Sequence, residues 1–214
     1  MPKSQHKILL IDDHLLFAEG LKAQLVKLTS ADNIAILSDG RQFVRQLAFT
    51  ESHDLYIFDL SMPTIDGFDL IKKLIAHNPQ AKILIISAAS DHKLADQAVE
   101  LGAKGFVSKA ASPDTMLEGV RAILGGGEFF DPGLHKLSKH SATNSDDGLT
   151  IPPRTKEVLK HMAKGHANKS IADLLSITEA TVKWHVSRLF ELFDVNNRTA
   201  CVAKAARLGL VEID

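Results

Sequence analysis

A chain of 214 residues with 45% hydrophobic and 24% charged side chains can bury a core in each of two small domains, which excludes a disordered or fibrous protein. Its longest apolar runs, 8–11 and 83–86, are strand-length against the roughly 20 residues a membrane helix needs, and Asp12 and Asp13 close the first before it can serve as a secretory core. With a single cysteine, Cys201, no intrachain disulfide forms, so the expectation is a chain of the reducing cytoplasm with no membrane contact.

From 7 to 124, short apolar runs alternate with amphipathic stretches. This predicts an α/β domain, a doubly wound five-stranded parallel sheet of flavodoxin-like type, with strands at 7–11, 34–37, 55–60, 82–87 and 105–108. The last crossover helix is marked by Ser112 as its cap, Pro113 in its first turn and the glycines 125–127 at its end. The domain is read as 1–127. A linker follows over 128–148, because SKHSATNSDDG at 138–148 has no apolar period. Over 149–214, helical patterns at 154–163, 168–175, 179–193 and 198–208 predict a small all-α domain of four helices. That part holds ten Lys and Arg against seven Asp and Glu, whereas fifteen face nineteen upstream, so an anionic partner is expected for the C-terminal half.

Asp12, Asp13 and Asp59 stand at the C-terminal ends of the first and third predicted strands, with Ser87 and Lys109 ending the fourth and fifth. In an open parallel sheet these ends share one edge, where ligands bind, so five residues far apart in sequence converge on one crevice. Clustered carboxylates repel unless a cation joins them, and a hard divalent ion such as Mg2+ prefers such oxygen ligands. A carboxylate there can also accept a phosphoryl group, since metal and ammonium neutralise the charge on its oxygens. Taken singly, an acidic pair is often a helix cap, and a lone Ser or Lys carries no meaning; the argument rests on all five together.

The segments ILLIDDH, FDLSMPTIDGF, IISAAS and GAKGFVSK resemble the receiver domain of two-component response regulators over 7–124. The resemblance implies that Asp59 is phosphorylated by a sensor histidine kinase, that Asp12 and Asp13 hold Mg2+ with it, that Ser87 senses the phosphoryl group and that Lys109 pairs with it. It also implies that Phe106 is the rotameric switch aromatic. Ala110 departs from the proline that many receivers carry after the lysine.

GHANKSIADLLSITEATVKWHVS at 165–187 has helix-turn-helix spacing, with a turn through Ser176 and Ile177 and Thr178 as N-cap of the second helix. Val182, Val186, Leu189 and Phe193 repeat at helical spacing and form the expected buried stripe. Lys183, Trp184 and Ser187 then lie on the opposite face, the candidate reader of base edges, with Lys169, Arg188 and Arg198 as candidate phosphate contacts. A lone aromatic at such a phase can equally lie over neighbouring core, and lone basic residues can be solvated charges. The segment resembles the LuxR-type output domain of the NarL/FixJ subfamily over roughly 150–211, with Thr155 where a glutamate is usual. The resemblance implies binding to promoter DNA, with the last helix as a dimer contact, so a homodimer is expected on phosphorylation or DNA binding.

Two rival functions are distinguishable. An aspartate-nucleophile phosphatase needs a second carboxylate two residues after Asp59, where this chain has Ser61, so no catalytic role is assigned beyond self-phosphorylation and self-dephosphorylation. A helical module that binds only proteins fits less well with the basic balance of the C-terminal half.

Overall fold

The computed structural model describes residues 5–48, 53–89, 91–131 and 151–212, and the chain divides into two compact units, 1–134 and 135–214. The linker segment 138–148 lies outside the described residues.

In the first unit the runs of Ile, Leu, Phe and Val form strands β1 (Ile8–Ile11), β2 (Ile34–Leu37), β3 (Leu55–Asp59), β4 (Ile83–Ser87) and β5 (Gly105–Ser108). They read as continuous apolar runs because a parallel sheet is covered on both faces, and every residue of β1, β3, β4 and β5 is buried. The crossovers are α1 (Leu15–Leu25), α2 (Gly40–Gln46), α3 (Gly67–His77), α4 (His92–Glu100) and α5 (Pro113–Leu124). Helix α1 packs with α5, and α2 with α3. Right-handed crossovers to either side of β1 place such pairs on opposite faces.

The helix starts are set by local chemistry. Asp39, Asp66 and Asp91 each accept a backbone N–H in the first turn of α2, α3 and α4, and Ser112 accepts the Thr115 N–H at 3.1 Å at the start of α5. Each bond satisfies a donor that the helix itself leaves open.

The sheet has six strands, not five. Phe129–Phe130 form β6, pairing Gly105 with Phe129 and Phe106 with Phe130, and the order is β2-β1-β3-β4-β5-β6, all parallel. A two-residue strand is too short to show a period, and these residues fell inside the segment read as linker. Their burial has a clear cause: the chain leaving α5 at Gly125 turns back along β5, where both rings are fully enclosed. Gly105 makes room for this, since a β-carbon there would lie 2.5 Å from the Phe129 carbonyl oxygen. Asp131 is buried as well, its carboxylate accepting the Ser108 N–H at 3.2 Å. The sheet therefore extends past the boundary read at 127.

The second unit, among the described residues, consists of α6 (Pro153–Ala163), α7 (Asn168–Leu175), α8 (Glu179–Leu192) and α9 (Arg198–Arg207) around Val158, Leu159, Met162, Ile171, Val182, Leu189, Phe193 and Cys201. The turn between α7 and α8 has Ser176 in the left-handed region, φ 53°, and Thr178 caps α8 by accepting the Thr181 N–H at 3.1 Å. No helix among the described residues is long and apolar enough to cross a membrane.

Candidate functional site

Strand β1 is flanked by β2 on one side and β3 on the other, so crossovers leave it in opposite directions and a crevice opens at its C-terminal end. Asp12 follows β1 directly and Asp59 is the last residue of β3. Gly67 keeps the crevice tight: a β-carbon there would lie 2.5 Å from the Asp59 carbonyl oxygen, so only glycine lets the first turn of α3 approach the strand end.

Within the crevice Asp12 and Asp59 are almost fully buried, 0% and 1% exposed. The Lys109 ammonium joins them, donating to Asp12 Oδ1 at 3.0 Å and Asp59 Oδ2 at 2.8 Å. Asp59 Oδ1 accepts the Ser61 N–H at 3.2 Å. The Lys109 ammonium lies over the Phe17 ring, its Nζ 4.9 Å from the centroid. Ser87 ends β4 fully buried, and its Oγ accepts the Ala89 N–H at 3.1 Å. Asp13 lies further out, and Phe106 is enclosed within β5.

Burial raises the Asp59 pKa above its ordinary value, and the nearby Asp12 charge adds to this, against the hydrogen bonds from Lys109 and the Ser61 amide. For Lys109, burial pulls the ammonium down, but its bonds to Asp12 and Asp59 outweigh this and leave its pKa above the ordinary lysine value. The result is a pre-formed anionic cleft with one fixed cation.

Sequence reasoning missed a fourth possible metal-ligating residue at this cleft. His14 Nδ1 lies 3.1 Å from Asp13 Oδ1, 3.5 Å from Asp12 Oδ1 and 3.8 Å from Asp59 Oδ2, and ligand atoms from all four residues fall within 4.8 Å of one another. Its place next to the acidic pair was the available signal. Three carboxylates with an adjoining imidazole make a donor set that can bind a divalent cation, and the oxygen majority suits a hard one.

In the helical unit the candidate DNA-facing residues separate. Lys183 is 61% exposed and pairs with Glu179 at 3.0 Å, Lys169 is exposed, and Ser187 and Arg188 are half-buried, Arg188 lying 3.4 Å from Glu191. Trp184 does not share their side: it is 2% exposed, with its ring centroid 4.8 Å from that of His185. The error lay in treating α8 as a helix with one buried stripe. It packs against α6, α7 and α9 at once, so burial continues from Val182 and Leu189 through Thr181 and His185 to Trp184.

Arg198 is also placed otherwise than expected. Its guanidinium donates to the carbonyl oxygens of Met162 at 3.1 Å and His166 at 2.6 Å, so it ties the start of α9 to the turn after α6. Thr155, which stands where the resemblance calls for a glutamate, is buried with its Oγ1 3.0 Å from His185 Nδ1, linking α6 to α8.

The pattern of the response regulator receiver domain matches residues 8–121, and that of bacterial regulatory proteins of the luxR family matches residues 149–205. The chain is 35% identical to the nitrate/nitrite response regulator protein homolog of Haemophilus influenzae over 91% of this chain and 93% of that one. It is 30% identical to transcriptional regulatory protein DegU of Brevibacillus brevis over 97% and 95% of the two chains. Its fold is similar to that of RcsB from Salmonella enterica serovar Typhimurium bound to a promoter in the presence of a phosphomimetic, with a TM-score of 0.56 at 22% identity, covering 96% and 100% of the two chains. With the receiver match spanning more than half its length and a luxR-family helix-turn-helix after it, the chain belongs to the two-component response regulators that control transcription.

Proposed function

We propose that Asp59 accepts the phosphoryl group from a sensor histidine kinase, and that this modification controls binding of promoter DNA by α8. The observation that carries the reading is the Asp59 carboxylate itself. It is buried at the end of a central strand, held on one oxygen by Lys109 at 2.8 Å and on the other by the Ser61 amide at 3.2 Å, so it is oriented before a phosphodonor arrives. Asp12, Asp13 and Asp59 are the residues that would hold Mg2+, which when bound supplies positive charge for the phosphoryl oxygens. Lys109 supplies a second positive charge from the protein. Ser87 is the hydroxyl that would bond a phosphoryl oxygen, and Phe106 the aromatic that would respond.

On the output side, Lys183 and Ser187 form the surface of α8 that would read base edges, with Lys169 and Arg188 nearest in character to phosphate contacts. The exposure of Lys183 and Lys169 and the positive balance of residues 149–214 support this. The active form would be a homodimer with α9 as its contact, in the cytoplasm where kinase and DNA are both reached. RcsB, of similar fold, is known bound to a promoter with a phosphomimetic present.

Acetyl phosphate with Mg2+ tests the first step. Intact-mass spectra are expected to show one phosphoryl adduct on the native chain and none on Asp59→Asn; an undiminished adduct on the variant would move the phosphoacceptor elsewhere.

A further inference from the structure

The end of α6 and the turn after it bring two imidazoles together. His161 Nδ1 and His166 Nδ1 are 3.2 Å apart, with ring centroids separated by 5.3 Å and planes inclined by 37°. The backbone imposes this closeness. Gly165 reverses the chain with φ 79°, and the His166 N–H then donates to the His161 carbonyl oxygen at 3.2 Å, so both side chains leave one closed turn.

Two nitrogens each 2.0–2.1 Å from a tetrahedral zinc ion are about 3.3 Å apart. The observed separation is therefore the bite of a two-histidine chelate. We propose that His161 and His166 form a binding site for a borderline divalent transition-metal ion, Zn2+ in the first instance, in which the ion takes the place of the hydrogen shared by the two Nδ1 atoms. Imidazole nitrogen suits such ions, whereas Mg2+ prefers the oxygens of the receiver cleft.

Glu157, four residues before His161 on α6, is held by Arg154 at 2.6 Å. Water would complete the shell. The neighbouring Lys164 ammonium repels an incoming cation. The site is thus weaker than a closed four-ligand one.

The turn it would clamp has a mechanical role. The carbonyls of Met162 and His166 receive the Arg198 guanidinium at 3.1 and 2.6 Å, so fixing His161 to His166 also fixes the anchor of α9. The helical unit should be stabilised by the ion.

The test is a Zn2+ titration of the untagged full chain in excess Mg2+, followed by calorimetry and by 15N spectra of the imidazoles. The expected result is Zn2+ uptake with the Nδ1 resonances of His161 and His166 both shifting, and a rise in the thermal midpoint seen through Trp184. His161→Gln and His166→Gln should each weaken uptake by at least about tenfold, because removing one arm of a chelate forfeits its effective concentration. Absence of uptake by the native chain overturns the proposal. So does uptake in which those two Nδ1 resonances stay unmoved, a readout that does not depend on how well either variant folds.

Discussion

Lys109 is a fixed cation between two buried carboxylates, Asp12 and Asp59, so its removal has a calculable effect. In Lys109→Met, Asp12 and Asp59 keep their burial but lose an ammonium at 2.8 Å from each. Breaking a buried ion pair by deleting one partner typically costs about 3–5 kcal/mol. The low end applies here, about 3 kcal/mol, because the methionine retains the packing of the stem and Lys109 itself is 14% exposed. For a domain of this size that lowers the midpoint of thermal unfolding by roughly 10 °C.

The pH dependence has a definite sign. Asp59 has a folded pKa above its ordinary value, so the native state binds the extra proton and the cost of its charge is present in full only above that folded pKa. Losing Lys109 raises the folded pKa further. The deficit of the variant should therefore shrink as pH falls towards the carboxylate range, and Mg2+ should restore more stability to the variant than to the native chain. Circular dichroism melts follow the loss, with the Trp184 transition as an internal reference for the helical unit. A variant that melts with the native protein at neutral pH without divalent cation would refute the electrostatic account of the cleft.

Trp184 in the free protein should emit at short wavelength and resist quenchers, and Trp184→Ala should cost about 3–5 kcal/mol of stability in the helical unit, measured by urea unfolding; accessible tryptophan would contradict its burial. Lys183→Ala should weaken the cognate site by about 1–3 kcal/mol if the lysine reaches a guanine edge. Equal weakening on all sequences in salt-dependence titrations would make it a phosphate contact instead. Burial pushes the Cys201 thiol up to about 11, so alkylation of the folded chain at neutral pH should be slow and become fast on unfolding. Rapid labelling of the native protein would contradict this.

Much of the receiver cleft was legible because its evidence lies in strand ends. Asp12, Asp59, Ser87 and Lys109 each close an apolar run, and the parallel sheet then brings those ends together wherever they occur in the sequence. What was not legible depended on partners that no local pattern records. Phe129 and Phe130 form a strand only because β5 offers an edge beside the returning chain. Arg198 read as a free cation because its acceptors are the main-chain carbonyls of Met162 and His166, which carry no sequence signal. Trp184 was assigned by helical phase to the open side of α8, yet the packing of α6, α7 and α9 leaves that helix a narrower open side than one stripe implies. His14 was not legible in the same way, because it follows the acidic pair and closes no apolar run.

The claim that one carboxylate controls one helix is tested most directly by operator affinity, using duplexes enriched from a random library by the phosphorylated chain. Binding should be tighter for phosphorylated than for unmodified protein by about 5- to 150-fold, the range of ordinary allosteric coupling. Asp59→Asn treated with the same phosphodonor should stay at the unmodified level. Equal affinity of phosphorylated and unmodified protein would contradict the account.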